Sequence, residues 1–142
     1  MSKMDKVHTT NYQNVFIEVA EDCPVTKGEI PPTKNNEQTV ASIQFEMLNN
    51  SPYEFTSDDV LFQVFAIRNN VSENDLAQAR EQFFSKGQPC FRASPLTKRY
   101  GWGIHSNDEG KIAMFACETE DYQKFTKDKS LKLVKAMKST KK

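Results

Sequence analysis

The stretch from Ser94 to Cys117 carries its own punctuation and limits what the rest of the chain can become. Ser94-Pro95 is a helix start, because serine caps free amides and proline fits the first helical position. Gly101 stands where that turn must stop. Trp102–His105 and Lys111–Cys117 then read as two strands around Ser106-Asn107-Asp108-Glu109-Gly110, a β-hairpin. A helical turn feeding directly into a hairpin predicts an α+β chain.

The remaining elements fit that class. Residues 1–13 read as irregular, and Asn14–Val19 as a strand with Val15, Ile17 and Val19 on one face and Phe16 on the other. Pro24, Gly28, Pro31 and Pro32 make Glu21–Asn36 an extended loop. Gln38–Asn49 fits both an alternating strand and a helix; its length and the Asn-Asn-Ser-Pro stop favour the helix. Ser57 is expected to cap a helix beginning at Asp58 and ending at Asn69-Asn70. Ser72, three residues before Asp75, starts another with Leu76, Ala79, Phe83 and Phe84 as its buried stripe and Gly87 just past its end. Thr119 caps a helix with Tyr122 and Phe125. Leu131, Val134 and Met137 suggest a last amphipathic helix. The expected architecture is one α+β domain with a helical first half, a β-hairpin near 102–117 packed with the Asn14–Val19 strand, and C-terminal helices. Residues 1–126 form that domain, and 127–142 are its lysine-rich C-terminal helix or tail.

At 142 residues the chain is one domain's worth, able to bury about two-thirds of its unfolded surface. Charged residues interrupt its first six positions, so no secretory signal is expected. The longest apolar run, Val60–Ile67, is broken by Gln63 and too short for a membrane span. Three distant cysteines suit a reducing, cytoplasmic setting. The charge is 19 basic against 19 acidic residues, which argues against a nucleic-acid partner. The neutrality is uneven. Lys124–Lys142 holds eight lysines and one acid, a net +7, so the remaining 123 residues carry −7. The basic end reads as a frayed, solvated helix rather than a phosphate-binding arm, and its apolar stripe is too short to hold a membrane.

A second asymmetry bears on function. The 26 residues Gln82–Asn107 contain no acid but hold Lys86, Arg92, Lys98, Arg99 and His105, with Gly87, Gly101 and Gly103. Such a local reversal of sign attracts anions whatever the net charge. The preferred expectation is a module for a small anionic metabolite, a nucleotide or a carboxylate. Arg92 and Arg99 clamp it, Ser94 and Thr97 donate hydrogen bonds, and Lys98 and Tyr100 flank it. Gly101 and Gly103 let backbone approach the ligand. The alternative is a cysteine-dependent enzyme with Cys90 as nucleophile and His105 as base. A third reading is an interaction module with a basic terminus. His8, Cys23, Cys90, His105 and Cys117 lack metal-ligand spacing, so neither a metal nor a cofactor is expected.

The runs Ile17-Glu-Val-Ala-Glu-Asp-Cys-Pro24, Tyr53 with Thr56-Ser-Asp-Asp-Val-Leu-Phe62, and Gly87-Gln-Pro-Cys-Phe-Arg-Ala-Ser-Pro-Leu-Thr-Lys-Arg-Tyr-Gly-Trp-Gly-Ile-His105 resemble a family of small uncharacterised bacterial and fungal proteins. The resemblance spans nearly the whole chain. It implies a single intracellular domain of unknown function, and no site residue. The closing order of short helix, hairpin and helix also resembles small α+β domains proposed as iron chaperones, without a shared motif.

Overall fold

A computed structural model describes residues 8–33 and 37–139. Four strands, β1 (Val15–Glu18), β2 (Trp102–Ser106), β3 (Ile112–Ala116) and β4 (Lys132–Lys135), form one mixed sheet in the order β3-β2-β1-β4. Among the described residues five α-helices accompany it: α1 (Val40–Asn50), α2 (Ser57–Arg68), α3 (Leu76–Phe83), α4 (Pro95–Lys98) and α5 (Glu120–Thr126). The chain is α+β, as expected.

The hairpin forms where its turn residues put it, with Ile104 opposite Met114 and Gly110 in the left-handed region at φ 80°. β1 joins it antiparallel, Phe16 facing His105 and Ile17 facing Ile104. The alternation in β1 sends Val15 and Ile17 to one face and Phe16 to the other. On the first face Val15, Ile17, Ile104 and Ile112 meet Ala41 and Leu48 of α1, Val60 of α2, Phe91, and Leu96 of α4 in the main core. On the second, Phe16 packs edge-on to Tyr122 and stacks on Phe125, both from α5. A smaller core of Phe62, Ala66 and Phe84 with Phe65, Leu76 and Phe83 joins α2 to α3.

Helix starts follow the capping chemistry, one residue away from the expected place in one case. Thr56 rather than Ser57 caps α2, in a capping box with Asp59, and Thr39 caps α1 in a box with Ser42. After Ser72 a single 3-10 turn, Glu73–Asp75, comes first, because the Ser72 hydroxyl bonds the Asp75 carboxylate instead of a backbone amide.

The lysine-rich end is a correction. In place of a helix or loose tail, Lys132–Lys135 is a strand paired in parallel with β1, Lys132 N donating to Asn14 O and Ala136 N to Glu18 O. Val134 packs on the main core and Ala136 is 4 % exposed. Beyond the strand, Lys138 meets Glu21 at 3.1 Å. No helix among the described residues is long and apolar enough to cross a membrane.

Candidate functional site

The acid-free window folds as a 3-10 turn (Phe91–Ala93), α4 and the start of β2, and this separates its polar groups by task. Arg92 faces β4: its Nε donates to Lys135 O at 2.7 Å, and its own carbonyl accepts from Met137 N at 2.8 Å. In a parallel pair alternate residues bond the neighbour, leaving the others facing outward. Arg92 occupies the outward groups at the C-terminal end of β4. Ser94 is 4 % exposed; its hydroxyl accepts from Leu96 N, capping α4, and donates to Gln44 Oε1 at 2.6 Å. Thr97 is fully buried and donates to Phe91 O and Ser94 O. These three side chains hold the fold together.

Lys98, Arg99 and Tyr100 remain nearer the surface. Arg99 is exposed and makes no side-chain hydrogen bond or ion pair among the described residues. With Tyr100, Pro32, Thr33, Thr39 and Val40 it lines a groove of about 390 Å³. Lys98 is half-buried, and Tyr100 packs its ring on the main core while its carbonyl accepts from Glu29 N. The groove also receives the start of α1. Thr39 satisfies the amide of Ser42, the first turn carries no acid, and the amides of Val40 and Ala41 have no partner within the helix. Arg99 and Tyr100 were legible in the sequence. Thr33 and Thr39 were not, although a threonine three residues before Ser42 was a capping signal.

The two glycines expected to admit a ligand are filled by the protein itself. A Cβ on Gly101, at φ 82°, would lie 2.5 Å from Lys27 O; one on Gly103 would lie 2.6 Å from both Phe16 Cζ and Tyr122 Cε2.

Cys90 and His105 are engaged with different tyrosines, and no hydrogen bond joins them. Cys90 Sγ lies 3.3 Å from Tyr12 Oη, a contact that, with burial, pushes the Tyr12 hydroxyl above its usual range. His105 Nδ1 lies 2.7 Å from Tyr53 Oη, and its ring stacks on Phe125 with centroids 4.4 Å apart. Burial lowers the His105 pKa against the opposing pull of Asp128, so the ring is neutral at pH 7. Tyr53 is raised, by burial and then by Asp121, and holds its backbone at φ 61°, an uncommon conformation for a tyrosine. The third cysteine, Cys117, has its thiol pushed up by burial and by nearby Cys23 and Glu118. Among the described residues no three His, Cys, Asp or Glu side chains gather as a metal site.

These features define a small mixed α+β domain with a basic groove beside a helix start. The chain belongs to a family of unknown function, DUF6157, whose model matches residues 7–142. No curated protein and no solved structure matches it.

Proposed function

We propose that the domain is a cytoplasmic binding module for a small anionic ligand, a nucleotide or a carboxylate metabolite, held in the Arg99 groove. The observation that carries this reading is an exposed guanidinium, unengaged among the described residues, lining the same groove as the acid-free first turn of α1. The helix start supplies amides and the positive end of its dipole. Arg99 supplies two parallel donors for a carboxylate or phosphate. Tyr100, Thr33 and Thr39 line the same groove. Relative to the window as a whole, the ligand contacts contract to Arg99 and Tyr100, and Lys98 lies outside the groove lining. Arg92, Ser94 and Thr97 position that segment. The unpaired state of all three half-buried cysteines fits a reducing compartment. The lysines of β4 serve the sheet edge, where charge discourages further strand pairing, instead of a nucleic acid.

A thermal-shift titration with AMP, pyrophosphate and citrate tests the reading, since a ligand that binds only the folded chain raises its melting temperature. At least one should do so, and Arg99→Ala should weaken it about ten- to a hundredfold, the worth of one charge-assisted hydrogen bond. Arg92→Ala should lower the melting temperature and weaken affinity far less than Arg99→Ala. If none of the three probes stabilises the chain, or Arg99→Ala binds as well as the parent, the groove is not an anion site.

A further inference from the structure

A second cavity lies on the other side of Val40, between α1, α2 and the segment after α3. It is an open cleft of about 250 Å³ lined by Leu61, Val64, Phe65 and Phe83, with Gln44, Arg68, Asn69 and Gln88 as its polar residues. Gln44 is 2 % exposed, so nearly the whole side chain has left water. Its carboxamide orientation is fixed from behind. Ser94 Oγ accepts from Leu96 N and donates its proton to Gln44 Oε1. The amide nitrogen is therefore turned away from Ser94, and its two N–H groups have no hydrogen-bond partner among the described residues. The nitrogen is not sealed from solvent, so a molecule entering the cavity can reach these free donors. Arg68, on the last turn of α2, is exposed and also makes no ion pair among the described residues.

We infer that this cavity binds a small apolar carboxylic acid. The apolar body lies against Leu61, Val64 and the rings of Phe65 and Phe83, a carboxylate oxygen accepts from Gln44 Nε2, and Arg68 favours the anion at the mouth. The volume equals that of roughly eight liquid waters, which suits a ligand the size of benzoate. Mostly apolar walls with one or two placed donors are the usual make-up of a small-molecule site. The cavity shares only Val40 with the Arg99 groove and differs from it in its donors, Gln44 and Arg68 in place of Arg99 and the start of α1.

Titrating the full chain with benzoate in the millimolar range, followed by ¹⁵N–¹H spectra, tests the inference. Saturable shifts are expected at the Gln44 side-chain amide and at residues 61–69 and 83–89, with nuclear Overhauser contacts from the benzoate ring to the Val64 and Leu61 methyls. Shifts confined to residues 39–41 and 98–100 would place benzoate in the Arg99 groove and overturn the cavity. Gln44→Leu should weaken binding about tenfold or more, and Arg68→Ala about two- to fivefold. Arg99→Ala should leave it unchanged. Benzamide should bind more weakly than benzoate; equal binding overturns the carboxylate preference. Absence of any saturable shift in the parent chain overturns the site and leaves Gln44 to a water, whatever happens in the thermal-shift titration. Should Gln44→Leu fail to fold, the ring-to-methyl contacts in the parent chain decide.

Discussion

The two faces of the sheet are built from different materials and closed to different degrees. The face toward α1, α2 and α4 is aliphatic and sealed: Val15, Ile17, Ile104 and Ile112 are each at most 6 % exposed. The other is aromatic and covered by a helix of only seven residues. Phe16 is fully buried there, but Phe115, Phe125 and His105 are half-buried and Leu133 is 40 % exposed. Branched aliphatic side chains interdigitate from three helices on the first face. Rings stack around Phe125 on the second, and their spacing leaves room for a titratable imidazole. The sealed face supplies most of the stability; the open face makes that stability sensitive to pH.

The contrast is tested most severely at β4, which contributes Val134 to the sealed face and Leu133 to the open one and is followed directly by buried Ala136. A chain ending at Asp128 should lose about 5 kcal/mol or more, comparable with the whole stability of a domain this size. It should be unfolded or insoluble by circular dichroism and sedimentation. Survival with a parent-like melting temperature would mean that the sealed face closes without its edge strand.

Next in size is a matched truncation. Ile104→Ala should cost about 2–5 kcal/mol in urea unfolding. Phe125→Ala removes a larger side chain but should cost less, about 1–2 kcal/mol, because that ring is half solvated. The reverse order would mean that the aromatic face carries the fold.

The smallest effect belongs to His105. Its folded pKa is lowered from 6.5 by burial, so the unfolded chain binds the proton more readily. Its contribution to stability is therefore full above pH 6.5 and is lost as pH falls below 6.5 toward the lowered folded value. Subtracting the pH profile of His105→Gln from that of the parent isolates this group from the carboxylates, which titrate lower. A difference that stays flat between pH 7 and 5 would make the imidazole a solvated bystander that titrates alike in the folded and unfolded chain.

Local signals made most of the fold legible. The Val15/Ile17 alternation, the Ser94-Pro95 start, the hairpin turn and the Thr119 cap each depend on neighbours within a few residues, and each appears where expected. Leu131, Val134 and Met137 misled because their three-residue spacing suits a helix, while the strand that holds Val134 is dictated by β1, more than a hundred residues earlier. The site was legible only in part for the same reason. Acid-free composition marked the segment that carries both arginines, yet Arg92 is engaged by a carbonyl 43 residues downstream, which no local pattern announces. Gln44 carried no signal at all, since its meaning comes from Ser94, 50 residues away.

The position of β1 in the sheet also sets when the molecule can form. Both its neighbours, β2 and β4, come from the last third of the chain. During synthesis the first strand therefore leaves the ribosome with nothing to pair with, and its Val-Phe-Ile run waits exposed until the hairpin and then the final strand arrive. Pairings this distant in sequence fold slowly, and a waiting apolar strand is the kind of segment that chaperones shield.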